Sequence, residues 1–205
     1  SDLARLRLCQ RYLREGADSV VWCDADTLVI DDGAPILQAN REAHSCGFGR
    51  EIWLQKTGEA ERKSKLKVYR KIHNAFMHFD RGDPVLDFYA YSAARLIARH
   101  SELSSGSMVA QLAGPKFLTH LHNVLQFDVL ESAQVLSPVL CHALLNESPD
   151  ILALYSSSWA QQPAALNLCA SEVLRGSLSD DDMTRVIELL QRSGPAAFDT
   201  AGEDV

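Results

Sequence analysis

The 205 residues carry 20 basic and 27 acidic side chains, a net charge of −7, with 46% hydrophobic and 23% charged residues. That is the balance of an ordinary globular chain long enough for one core, and one domain is expected. It argues against nucleic acid as a partner, because phosphate binding is driven by Lys and Arg.

Ser1-Asp2 followed by Leu3, Leu6, Leu8, Tyr12 and Leu13 predicts a capped amphipathic helix that Gly16 ends. Asp2 and Arg5 are three residues apart and share a face of it, either as a surface ion pair or aimed at the motif that follows. Residues 19–23 and 27–30 are short apolar runs that predict strands on either side of Asp24-Ala25-Asp26. Pro35 predicts a short helix through Ala39. Residues 45–54 read as a strand with glycine breaks, 55–65 as a polar loop, and 71–79 as a strand placing Asn74 among apolar neighbours. From Arg62 to Lys71 six positive charges fall in ten residues, suiting either an anionic partner or a solvated edge strand.

Residues 84–100 predict a long helix burying Val85, Phe88, Tyr89, Ala93, Leu96 and Ile97. A short helix over 107–112, a break at Gly114-Pro115 and two short strands or an extended connection over 128–139 follow. Residues 151–155 predict a strand running into Ser156-Ser157-Ser158-Trp159. Helices are predicted over 164–174 and 180–192, the second opened by Ser179 and Asp182 as a capping box. The residues after Gly194 read as a frayed tail, so 1–193 forms the domain and 194–205 the tail. Cys9, Cys23, Cys46, Cys141 and Cys169 are scattered without a CxxC pair and read as buried free thiols of a reducing compartment. No apolar run reaches the ~18 residues of a membrane span and no signal peptide is recognisable, so a cytoplasmic location is expected unless an N-terminal signal or anchor was removed.

Asp24 and Asp26 carry the strongest chemical signal. In an extended segment alternate side chains point the same way, so the two carboxylates would share a face at the end of a buried strand. There they repel each other, and a divalent cation offsets the repulsion; oxygen-only ligands suit Mg²⁺ or Mn²⁺ with positions left for phosphate oxygens. An acidic turn or helix start is the other reading. Asn74 needs a partner for its amide, either backbone or a sugar hydroxyl. The serines beside Trp159 suit phosphate and ring contacts, or simply a Ser-rich turn.

Five segments in order are similar to the DXD-containing "sugar-binding region" glycosyltransferases, a group that includes initiating mannosyltransferases, α-1,4-galactosyltransferases and capsular polysaccharide transferases. They are Ser1-Asp2-Leu3-Ala4-Arg5, Asp24-Ala25-Asp26, Ile72-His73-Asn74-Ala75-Phe76-Met77, Gly114-Pro115-Lys116-Phe117-Leu118-Thr119 and Ser157-Ser158-Trp159. The resemblance implies a GT-A fold, an α/β/α sandwich around a mixed sheet. It implies transfer of a hexose, with retention, from a UDP- or GDP-linked sugar to a glycan, lipid or protein acceptor. Asp26 would coordinate Mn²⁺ or Mg²⁺ on the diphosphate, and Asp24 would contact ribose or donor sugar. Asp2 and Arg5 would hold donor hydroxyls, Asn74 would face the transferred sugar, and Ser158 and Trp159 would lie near the diphosphate.

Such relatives carry a nucleotide-binding β-α-β unit ahead of the Asp2 helix, so the sequence is expected to begin part-way into the fold. Many also complete the metal shell with a His where this chain has Asn167; His142 is a substitute candidate. Two other readings stand beside the transferase. One is a haloacid-dehalogenase-type phosphatase with Asp24 as nucleophile. The other is a GT-A-like domain that binds without catalysing.

Overall fold

The computed structural model describes residues 2–31, 45–57, 65–103 and 112–199. The helix expected over 35–39, all but the last residue of the helix expected over 107–112, and positions 58–64 with Arg62 and Lys63 lie outside the described residues; Leu112 lies in a turn. In chain order the elements are α1 (Asp2–Arg14), β1 (Ser19–Cys23), β2 (Thr27–Val29), β3 (Cys46–Thr57), β4 (Lys65–Asp80), α2 (Pro84–Leu103), α3 (Pro115–Leu125), β5 (Asp128–Leu130) and β6 (Ala133–Val135). α4 (Pro138–Leu145), α5 (Pro149–Ser156), β7 (Ala165–Asn167), α6 (Ser171–Leu174), α7 (Asp180–Ser193) and a 3₁₀ turn, Gly194–Phe198, complete the chain. This is an α/β protein with two mixed sheets, one ordered β1-β4-β3-β5 and the other β2-β7-β6.

One domain was expected, but the chain divides into two compact units. The first takes Ser1–Asp24, Leu37–Gly49 and Lys71–Leu130; the second takes Ala25–Ile36, Arg50–Arg70 and Glu131–Val205. Strands β3 and β4 contribute to both.

In the first unit, α1 buries Leu6, Cys9, Gln10 and Leu13, the stripe its period dictates. The chain leaves the helix at Gly16, whose φ of +114° suits glycine. β1 then pairs antiparallel with β4, Trp22 opposite Met77 and Cys23 opposite Phe76. Phe48 packs edge-on to Phe79 and Tyr89 in the core between sheet and helices. α2 turns Leu86, Tyr89, Ala90 and Ala93 inward and leaves Phe88 49% exposed, not buried as its spacing suggested.

In the second unit, β2 runs antiparallel to β7, and β7 parallel to β6, under a core of Leu136, Leu140, Leu166, Val186 and Leu190. Three expectations are corrected here. Residues 151–155 are helical, because Ser148-Pro149-Asp150 is a helix start and a five-residue apolar run carries too little period to override it. Residues 164–174 are not one helix: Ala165–Asn167, inside a buried stretch from Ala164 to Leu168, form strand β7, and only Ser171–Leu174 turns helical. Nor do residues 194–198 fray. They form the 3₁₀ turn that inserts Phe198, fully buried, against the rings of Tyr155 and Trp159 at 5.1 and 5.7 Å. The capping box appears as written, with Ser179 Oγ accepting from the Asp182 amide at 3.0 Å and donating to its carboxylate at 2.8 Å. The loop expected over 55–65 is shortened at both ends by β3 and β4.

Removing a buried aromatic ring from a core costs about 3–5 kcal/mol. Phe198→Ala is therefore expected to lower the stability of the second unit by that order in urea unfolding; an unchanged midpoint would mean the segment is loose after all.

Candidate functional site

The register of β1 against β4 sets the first cluster. Asp24 follows the last β1 residue and its amide donates to the Ala75 carbonyl at 2.8 Å, which places it beside Asn74. Arg5, one turn into α1, reaches across. Its Nη1 donates to the Asp24 carboxylate at 3.0 Å and to the Asn74 backbone carbonyl at 2.9 Å. The Trp22 indole N–H donates to the other Asp24 oxygen at 2.6 Å, and the Arg5 guanidinium sits 5.5 Å over the same ring. Both oxygens of Asp24 are thus held, and its charge is matched by one arginine.

Asn74 is 5% exposed and donates through its side-chain NH₂ to Asp2 Oδ1 at 2.9 Å and to Tyr89 Oη at 3.3 Å. Its amide is therefore satisfied by side chains, with neither a backbone group nor a sugar needed for that half. Gly114 closes the cluster: a Cβ there would lie 3.3 Å from Asp2 Oδ2 and 3.5 Å from Asn74 Oδ1. Glycine is what lets the backbone approach the two side chains this closely. Asp2 and Asp24 remain about a quarter exposed, at 25% and 22% of their side chains, so the cluster is reachable from solvent.

The second cluster belongs to the other unit. Asp26 is not in an extended segment: residues 25 and 26 form a turn between β1 and β2, so strand alternation is not what orients the two carboxylates. The β2–β7 register, Thr27 opposite Asn167, carries Asp26 to the end of β7. Asp26 Oδ1 accepts from Asn167 Nδ2 at 2.7 Å, and Oδ2 from the Ala170 amide at 3.0 Å. These donors are neutral, whereas Asp24 faces a guanidinium. Asn167, expected to offer its carbonyl oxygen to a metal, turns its NH₂ to Asp26, and its oxygen accepts from the Cys169 amide at 3.1 Å. Burial pushes the Cys169 thiol up, and the Asp26 charge adds to it, so the sulfur stays protonated.

The remaining expected residues lie elsewhere in the second unit. Ser158 Oγ donates to the Leu154 carbonyl at 2.7 Å, and Trp159 packs edge-on to Tyr155 in the core. His142 shares a hydrogen bond with the Ser177 carbonyl at 3.1 Å. Among the described residues no three His, Cys, Asp or Glu side chains gather to hold a metal ion. Any cation at Asp26 would depend on oxygens from a substrate and water, the way Mg²⁺ is usually held. Each Asp26 oxygen has spent one hydrogen bond and keeps a second lone pair, so the donor set fits a hard cation. Among the described residues no helix is long and apolar enough to cross a membrane. Cys9, Cys46 and Cys141 are buried thiols as expected, while Cys23 is exposed.

No family model, curated protein or solved structure matches this chain. The site stands on its geometry.

Sequence reasoning missed Trp22 and Tyr89. Trp22 was legible, since residues i and i+2 of a strand lie on one face and place an indole donor beside Asp24. Nothing in the sequence singles out Tyr89 from other core aromatics. A hydrogen bond to a charged group contributes about 1.5–3 kcal/mol. Trp22→Phe, which keeps a ring and loses the N–H, is expected to lower stability toward that range in a denaturant titration; a loss below about 0.5 kcal/mol would show that the indole does not hold Asp24.

Proposed function

We propose that this chain is a metal-dependent glycosyltransferase of GT-A-like fold that moves a hexose from a UDP- or GDP-linked donor to a hydroxyl of a glycan, lipid or protein. The observation that carries the reading is the convergence in one unit of four segments distant in sequence. Asp2 and Arg5 of α1, Asp24 after β1, Asn74 of β4 and Gly114 before α3 make one hydrogen-bonded, partly exposed cluster. Four of the five segments that carry the family likeness meet there. Carboxylate, amide and guanidinium groups in one partly exposed cluster are the donors and acceptors that sugar hydroxyls require.

In this reading Asp2, Asn74 and Asp24 bind and orient the donor sugar, with Arg5 fixing Asp24 and lending positive charge. Asp26, two residues further along the chain, would hold the cation, because among the described residues its hydrogen-bond partners are neutral; Asn167 orients it. A cation bound there would offset the negative charge that builds on the departing diphosphate. The bond from the sugar C1 to the diphosphate breaks, a bond from C1 to the acceptor oxygen forms, and the acceptor hydroxyl passes its proton to the departing diphosphate oxygen. Asp24 serves a phosphatase mechanism poorly as nucleophile, since its ion pair with Arg5 and the Trp22 hydrogen bond draw electron density from its oxygens.

Calorimetric titration of UDP, GDP and their hexose conjugates, with and without Mn²⁺, tests the reading. Donor binding is expected only with Mn²⁺, with Asp26→Ala weakening it at least about tenfold, roughly 1.4 kcal/mol. Release of the nucleoside diphosphate is expected on adding acceptor or on slow hydrolysis. Binding without turnover would favour the binding-only domain, and no nucleotide-sugar binding under either condition would overturn the proposal.

A further inference from the structure

The Tyr89 hydroxyl is fully buried on α2 and makes two hydrogen bonds of fixed sense. It donates to the Ala113 carbonyl at 2.7 Å. A carbonyl can only accept, so the single phenolic hydrogen is committed there, and Tyr89 Oη can only accept from Asn74 Nδ2 at 3.3 Å. At the other end Asp2 Oδ1 accepts from the same NH₂ at 2.9 Å. Both amide hydrogens are therefore spent on acceptors. Flipping the amide would set Asn74 Oδ1 against a carboxylate oxygen and against a phenol whose hydrogen is already used. Neither contact is tolerable in a buried setting.

The chain of bonds from Ala113 through Tyr89 and Asn74 to Asp2 thus fixes which end of the amide is free. Among the described residues nothing donates to Asn74 Oδ1, and the Cβ that Gly114 lacks would lie 3.5 Å from it. Burial raises the Tyr89 phenol far above its ordinary range, with the Asp2 charge adding to it, so the hydroxyl persists as a neutral group at any working pH.

We propose that Tyr89 is a specificity-determining positioning residue: by locking the Asn74 amide it makes that corner of the cluster an obligate acceptor, selective for a ligand hydroxyl that donates. The ligand's identity as a donor sugar rests on the glycosyltransferase reading. The locking of the amide does not. Tyr89 touches no substrate in this account and acts only through Asn74.

The test has two arms. In the first, the unaltered protein is studied by NMR, with Asn74→Asp used to assign the Asn74 side-chain amide. Cross-peaks from that amide to the Tyr89 ring are expected, and in Tyr89→Phe its hydrogens are expected to exchange at least about tenfold faster, as one bond of the lock is gone. Absence of the cross-peaks, or exchange unchanged in Tyr89→Phe, would overturn the proposal; the cross-peaks decide alone if the variant does not fold.

In the second arm, UDP-hexose is compared by calorimetry with its monodeoxy-fluoro analogues, since fluorine accepts but does not donate. One analogue is expected to bind the unaltered protein at least about tenfold more weakly than the parent sugar, and that gap should shrink to about threefold or less in Tyr89→Phe while UDP binding is unchanged. An equal loss for all ligands would mean a merely structural role and would contradict the proposal. Failure of every nucleotide-sugar to bind the unaltered protein would instead sink the transferase reading, and the NMR arm would still judge Tyr89.

Discussion

One guanidinium holds the first unit's polar site together. Arg5 starts on a helix, yet its Nη1 binds the Asp24 carboxylate that ends β1 and the carbonyl of Asn74 in β4, with its plane near the Trp22 ring. Arginine suits this because its planar fork keeps several donors in fixed directions and never loses its proton. The pair is mostly withdrawn from water, at 17% and 22% exposure, so neither partner is comfortable alone. Removal of either side would leave a half-buried charge, which generally costs far more than the intact pair contributes. The position of Asp24 is therefore a consequence of the α1–β1–β4 packing and not of the acidic motif by itself.

The two carboxylates of Asp24-Ala25-Asp26 differ in electrostatics although one residue separates them. Asp24 is offset by Arg5, and among the described residues Asp26 meets only amide donors, from Asn167 and Ala170. A carboxylate that retains its charge attracts a cation; one already paired with a guanidinium is better suited to accept hydroxyls. This contrast divides the labour of the motif on physical grounds. Asn167 has a part in that division as a donor, keeping one Asp26 oxygen aimed, much as outer partners orient ligands around metals in general.

The sequence was most readable where one pattern dominated. The α1 and α2 helices, the β1 strand and the Ser179 cap each follow from a local rule, although packing leaves Leu8, Tyr12 and Phe88 exposed and buries no β1 residue fully. The expectations at 151–155 and 164–174 fail for one reason: a short, mostly apolar run is the same in a buried strand and in a short buried helix. Only the flanking Pro149, and the pairing of β7 with β2 and β6, separated them. The tail was misread because Phe198 follows Gly194 and Pro195, which look like an ending, while the space it fills is made by Tyr155 and Trp159 far away in sequence. Trp159, half-buried, packs against the same core through Tyr155 and Phe198. Among site residues, Asp2, Arg5, Asp24 and Asn74 were named from sequence and are brought together; Tyr89 was invisible because its importance lies in one hydroxyl and the fixed sense of its two bonds.

The central claim is that the cluster around Arg5 binds the sugar of a nucleotide-sugar. A crystal structure with UDP-hexose and Mn²⁺ addresses it directly. The account predicts sugar hydroxyls within hydrogen-bond distance of Asp2 and Asn74, with Arg5 still on Asp24. A nucleotide-sugar bound with its sugar away from this cluster, Asp2 and Asn74 left facing water, would contradict it.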